Sequence, residues 1–144
     1  MIDKIFNLER FVAAQRYDYD VALCEIRNGR KCSHWIWYIF PQIKGLGRSG
    51  NSEYYGLDGL SEAKAYLAHP ILGTRLREIT EAMLAHRGCR ADDILGDIDA
   101  LKLRSSMTLF DLVSPGDIFA DVLNEFYGGR RCHCTARYSD KVDR

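Results

Sequence analysis

Apolar residues recur along this chain mainly at helical spacing, with polar and charged residues between them. Leu8, Phe11 and Val12 share one side of a first segment that Asn7 can cap and that runs to about Gln15. Asp18 opens a second, in which Tyr19, Ala22, Leu23 and Ile26 follow the i, i+3, i+4, i+7 pattern until Asn28-Gly29 stops it. A helix from about Gly59 to Ala68 follows Asp58, and His69-Pro70 breaks it. Pro70 suits the first position of the next helix, because its missing N–H has no partner there in any case. That helix carries Leu72, Leu76, Ile79 and Met83 on one stripe and ends near Arg87-Gly88. Asp92 or Asp93 begins a short helical turn closed by Gly96, and Asp97 caps a longer helix through Leu109 and Phe110 to about Val113. A last stripe of Phe119, Val122, Leu123 and Phe126 enters through Ser114 as cap and Pro115 as first residue, and leaves at Gly128-Gly129. The pattern predicts an all-α fold, a compact multihelical single domain of about seven or eight short helices. It spans residues 1–144, with 129–144 as a mobile C-terminal segment.

One stretch departs from this periodicity. Ser33-His34-Trp35-Ile36-Trp37-Tyr38-Ile39-Phe40-Pro41 is apolar at nearly every position, so spacing alone does not separate a buried strand from a short buried helix. Its aromatic and β-branched content favours strand, while Ser33 as a cap favours helix. Two Trp, a Tyr and a Phe cannot all be left in water, so the segment belongs to the core in either form. The stretch from Lys44 to Ser52 is the longest punctuated loop.

The chain has 144 residues, which is the length of one domain. Lys and Arg together number 20, and so do Asp and Glu, which argues against a general nucleic-acid binder. At 47% hydrophobic and 28% charged, the composition is that of a globular chain rather than a disordered one. No apolar run approaches the roughly 18 residues needed to span a bilayer. The first residues carry no secretory leader pattern, and five cysteines are an odd number for a disulfide framework, so reduced thiols and a cytoplasmic location are expected. Cys24 and Cys89 read as small apolar fillers. Cys132-His133-Cys134 offers zinc-ligand types, but no second Cys/His pair completes a site, so no metal is expected there.

Four segments together resemble a known family. The Ser33 to Gln42 run leads into Gly45-Leu46-Gly47-Arg48-Ser49. His69-Pro70-Ile71-Leu72-Gly73-Thr74-Arg75-Leu76, Ile94-Leu95-Gly96-Asp97-Ile98-Asp99 and Lys102-Leu103-Arg104-Ser105-Ser106-Met107-Thr108-Leu109-Phe110 follow. This combination is similar to the domain of unknown function 1810 family, from about Leu8 to Tyr127. The resemblance implies a compact multihelical fold and tips the tryptophan segment towards helix. It transfers no activity. Some members carry the label calpastatin, which these residues do not support, since a calpastatin-type inhibitor is a long disordered chain.

Candidate chemistry gathers in three places. His34, beside Trp35 and Trp37, can act as general acid or base, and one of the tryptophans can stack on a planar ligand while the other is core. Gln42 and the loop residues Gly45, Gly47, Arg48 and Ser49 offer backbone N–H groups and a guanidinium to an anion, without the spacing of a P-loop or a dinucleotide fingerprint. Lys102, Ser105 and Ser106 share a helix face, an arrangement known from serine nucleophiles activated by lysine. Asp99 is placed to pair with Lys102 or to orient His34, and Arg27, Arg30 and Lys31 read as a solvated basic face. These features predict a domain that binds a small, planar, anionic ligand of nucleotide type, with His34, Lys102, Ser105 and Ser106 as catalytic candidates and no cofactor specified. An adaptor with exposed aromatics and a Ser/Lys or Ser/His hydrolase are the alternatives. The expectation behind all three site readings is that the histidine-tryptophan segment and the Lys102 helix face a common hollow.

Overall fold

Residues 6–137 are described by the computed structural model, and they form nine helices. In chain order these are α1 (Glu9–Arg27), α2 (Ile36–Ile39), α3 (Gly50–Tyr55), α4 (Gly59–Ala68) and α5 (Leu72–Leu84). They continue with α6 (Ala91–Leu95), α7 (Asp97–Val113), α8 (Ile118–Tyr127) and α9 (His133–Ala136). The architecture is all-α, as the periodicity predicts, and the tryptophan segment is the short helix α2. Among the described residues no helix is long and apolar enough to cross a membrane.

The core is organised around α7. Leu103 and every residue from Ser105 to Phe110 are buried, because α4, α6, α8, α9 and α2 all pack against this helix. A helix covered on all sides cannot show a polar face, and its serines and threonine are the small residues that let neighbours approach. A chain of rings ties the layers together. Phe11 of α1 meets Tyr66 of α4 edge-on at 5.0 Å, Tyr66 meets Phe110 of α7 at 5.6 Å, and Phe110 meets Phe119 of α8 at 5.6 Å. Spacings of this kind add to the burial of each ring.

Two glycines make the chain path possible. A Cβ at Gly73 would lie 2.0 Å from the carbonyl oxygen of Leu67, so α5 approaches α4 more closely than any side chain permits. Gly96, at φ 86°, is the single residue between α6 and α7 and takes a left-handed conformation.

Several boundaries differ from the sequence expectation: Leu8 rather than Asn7 takes the cap position of α1, α5 begins at Leu72 with Pro70 outside it and ends at Leu84, and α6 begins at Ala91, one residue before Asp92. The two segments expected on either side of Tyr17 are one helix, α1. Its buried stripe runs from Phe11 through Gln15 to Tyr19, Ala22 and Ile26, and the polar Gln15 hides that continuity. Gln15 is satisfied inside the core by donating to the Tyr38 carbonyl at 2.7 Å and to the Tyr66 hydroxyl at 3.0 Å. At α8, Asp117 rather than Ser114 is the cap: its carboxylate accepts from the Ile118 amide at 2.7 Å, and Ser114 donates to it. Asp97 is the first residue of α7, and Gly96 takes the cap position. Of the segment expected as a mobile tail, residues 133–136 form α9, packed on α7; residues 138–144 lie outside the described residues. Cys24 and Cys89 are exposed rather than core fillers, Cys24 on the outer side of α1 and Cys89 in the turn before α6.

The N-terminal half of α1 holds the chain before α4 through one ion pair. The Arg10 guanidinium lies 2.8 Å from Glu62, both side chains are buried, and Arg10 also donates to the carbonyls of Asn7, Tyr54 and Gly56. Glu62 accepts in turn from the Asp58 amide at 2.7 Å. Removing one member leaves an uncompensated buried charge. Glu62→Ala is expected to lower the unfolding free energy by about 3–5 kcal/mol in urea titration. The double variant Arg10→Met/Glu62→Leu should recover a substantial part of that loss. Equal stability of Glu62→Ala and the parent would show that the pair does not hold the fold.

Candidate functional site

Two of the hollows that open on the N-terminal half of α7 share Lys102 and Ile98 in their walls. The larger, about 670 Å³, lies between the 31–37 segment and the α6–α7 corner, with His34, Trp37, Lys31 and Asp99 in its wall. The smaller, about 300 Å³, lies between the glycine loop and α9, with Gln42, Gly47, Arg104, Ser105, Cys132 and Cys134 in its wall. Volumes of this order are those of small-molecule clefts. His34 and Lys102 therefore do share a hollow.

Glu25 shapes the first wall. Its carboxylate accepts from the amides of Cys32 (2.8 Å) and Ser33 (3.0 Å), the Ser33 hydroxyl (2.6 Å) and the Trp35 indole N–H (2.9 Å). Burial by itself would raise the Glu25 carboxyl, but these four donors prevail and hold it down at about 2. With Ser33 and Trp35 both tied inward, His34 between them is turned outward and exposed. Its ring makes no hydrogen bond among the described residues, so it is not a satisfied core histidine. Trp35, 1% exposed, is pure core, with the Lys31 ammonium 4.9 Å from its ring centroid. Trp37 is the tryptophan on the hollow: it is half-buried, the Lys102 ammonium lies 5.2 Å from its ring centroid, and its buried Nε1–H finds no acceptor.

Asp99 organises the cations. It pairs with Lys31 at 2.8 Å and with Lys102 at 3.7 Å, and makes no hydrogen bond or ion pair with His34. Lys31, expected on a solvated face, is instead buried and also donates to the Ser33 carbonyl. The larger hollow is thus balanced in charge, with two lysines against Asp97 and Asp99. The smaller one carries Lys102 and Arg104 and no carboxylate. Arg104 has a buried Nε–H without an acceptor, and no ion pair among the described residues.

The glycine loop is closed at its base by a parallel bridge between Ile43 and Leu57, through Lys44 N–H to Leu57 (2.8 Å) and Leu57 N–H to Gln42 (2.9 Å). Gln42 and Gly47 reach the smaller hollow. Gly45 and Arg48 are exposed and line neither hollow, and the Ser49 hydroxyl is spent on capping α3, accepting from the Ser52 amide at 3.1 Å. Ser105 is buried and shares a 2.9 Å hydrogen bond with Thr135 of α9, while Ser106 is sealed in the core without a partner. Neither serine bonds to Lys102 or His34.

Sequence reasoning missed Arg104, and it weighed Cys132 only as a zinc ligand. Thr108 and Thr135 dock the 130–137 segment: Thr108 accepts from the Cys132 amide at 3.0 Å, and Thr135 is fully buried against Ser105. The Cys132 thiol would be raised by burial, but the Thr135 hydroxyl and amide, the Ser105 hydroxyl and the Cys134 amide outweigh this and lower it. The alternation of small polar residues in α7 was the only signal for such a dock. Among the described residues no cluster of three or more His, Cys, Asp or Glu is arranged to hold a metal.

The fold and its clefts define a small all-α domain of one uninterrupted core. The family model described as "Protein of unknown function (DUF1810)" matches residues 5–138, and the chain belongs to that family. The chain is also similar to a solved structure, that of the conserved hypothetical protein Rv1873 from Mycobacterium tuberculosis. The two are 41% identical, with 95% of this chain and 96% of that one covered and a TM-score of 0.87. No curated protein matches the chain.

The depressed Glu25 carboxyl has a pH signature. Its ordinary value is 4.5 and its folded value about 2, so its stabilisation is complete above pH 4.5 and is lost as the pH falls towards 2. The stability difference between the parent and Glu25→Gln in urea titrations should be greatest above pH 4.5 and shrink steadily below it. A difference that stays constant down to the acid limit of folding would refute this role.

Proposed function

We propose that the paired hollows form a binding groove for a small, planar, anionic ligand of nucleotide type. The observation that carries this reading is the position of Lys102, common to both hollows, with aromatic rings on one side and a carboxylate-free cationic hollow on the other. The flat part of the ligand lies in the larger hollow against Trp37, His34 and the apolar side chain of Ile98. Its anion lies in the smaller hollow between Lys102 and Arg104, where the loop offers Gly47 and Ser52. Arg104, rather than Arg48, is the guanidinium suited to the anion, since Arg48 lines neither hollow.

One observation favours the adaptor reading as a second. Ile98 and Leu101 are 70% and 58% exposed on the rim of the groove, an apolar edge that a protein partner could cover. The hydrolase reading has no serine-to-base hydrogen bond behind it.

A thermal-shift and calorimetric panel of nucleoside mono-, di- and triphosphates tests the proposal. At least one is expected to bind, with Lys102→Met weakening it about tenfold or more through loss of a charge-assisted contact and Arg48→Met leaving it unchanged. No binding at millimolar concentrations, or equal binding by Lys102→Met, would remove the proposal. A partner retained by the parent and lost on Ile98→Glu would decide for the adaptor.

A further inference from the structure

Two lysines meet Asp99, and they are held differently. Lys31 is fixed: its ammonium lies 2.8 Å from the carboxylate, donates to the Ser33 carbonyl and sits 4.9 Å from the Trp35 ring centroid. Its side chain is only 8% exposed. Lys102 lies 3.7 Å from the same carboxylate, beyond hydrogen-bond length, and its side chain is 24% exposed. Its other contact is the face of Trp37, whose ring centroid is 5.2 Å from the ammonium. An ammonium over an indole is a weak hold, and so is a long ion pair to an acid that Lys31 already neutralises. A charge-assisted hydrogen bond to a phosphate or carboxylate oxygen is stronger than either. Lys102 and Trp37 both line the larger hollow, and Lys102 also lines the smaller one with Arg104.

We propose that Lys102 determines the specificity of the groove, as a movable cover on Trp37 that only an anion-bearing ligand draws aside. The inference rests on the groove reading above and adds the class of molecule that the groove refuses. A flat ring stacking on Trp37 from the larger hollow meets the Lys102 ammonium, and one of them must give way. A neutral flat molecule offers the ammonium nothing in exchange for Trp37 and Asp99. A ligand with a phosphate or carboxylate in the smaller hollow does. Its oxygens accept from Lys102 and Arg104, the ammonium swings from ring to anion, and the indole face is freed. Ring and anion therefore bind cooperatively through one side chain. Asp99 and Lys31 are positioning residues: by taking the shorter distance to Asp99, Lys31 keeps that carboxylate from locking Lys102 in place.

Calorimetry of the intact protein with nucleoside mono-, di- and triphosphates and with the corresponding uncharged nucleosides tests this. The parent is expected to bind at least one nucleotide about tenfold or more tightly than its nucleoside. Lys102→Ala should weaken that nucleotide and tighten its nucleoside about threefold or more. Arg104→Met should weaken the nucleotide and leave the nucleoside unchanged. NMR supplies a second readout. The Lys102 ε-methylene signals are expected upfield, shifted by the Trp37 ring, and should return to the ordinary lysine position in Trp37→Leu and on addition of the nucleotide. The Lys31 signals, shifted by Trp35, should stay in place throughout and so report an intact fold. A nucleoside bound equally by the parent and Lys102→Ala, or Lys102 signals that do not move when the nucleotide binds, overturns the inference and leaves the groove reading standing. A parent that binds no nucleotide removes both.

Discussion

The structure depends on how completely its neighbours cover α7. From Leu103 to Phe110 nearly every side chain is enclosed, and this enclosure fixes the ring chain from Phe11 to Phe119. Polar atoms in such a helix have only local partners to turn to, and all but the Ser106 hydroxyl and the Arg104 Nε–H find one. Thr108 turns its hydroxyl back to the Arg104 carbonyl at 2.8 Å, and Ser105 reaches α9. Over the first turns of α7 the coverage ends: Ile98 and Leu101 are exposed, and Lys102 stands at the border. The groove lies where the supply of helices is exhausted.

The walls of that groove are set from a distance by α1. Asp18 accepts from the Tyr38 hydroxyl, Gln15 holds the Tyr38 carbonyl, and Glu25 gathers four donors from residues 32–35. Tyr38 lies within α2 and the 32–35 turn leads into it, so a helix of four residues, too short to be stable alone, acquires a defined orientation from its neighbour. Trp37 meets the hollow and Trp35 the core because of these bonds.

Much of the fold was legible in the sequence, and the reasons for the rest are physical. The stripe Leu72, Leu76, Ile79, Met83 reads directly as the buried face of α5, and Phe119, Val122, Leu123 as that of α8. Continuity of α1 was hidden because its buried stripe contains a glutamine, and a satisfied polar residue in a core looks like a surface residue in a one-dimensional pattern. Asp117 was placed inside a helix rather than at its cap because Ser114-Pro115 imitates an entry, and the Ser114 bond to Asp117 exists only in three dimensions. At the site, His34, Trp37 and Lys102 were readable as unusual residues in unusual settings. Arg104 and Lys31 were not, since an arginine with a buried, unbonded Nε–H and a lysine folded against Asp99 are indistinguishable in sequence from solvated cations.

Arg10 and Glu25 sit towards opposite ends of the same unbroken helix, and each fastens a different loop: one the approach to α4, the other the turn before α2. Their angular relation about the helix axis is therefore a fixed property of the chain. Inserting one residue between them would rotate one fastening by about 100° relative to the other, which no local rearrangement could absorb. The nineteen-residue length of α1 thus works as a gauge, tolerant of exchanges on its outer face and intolerant of any change in count.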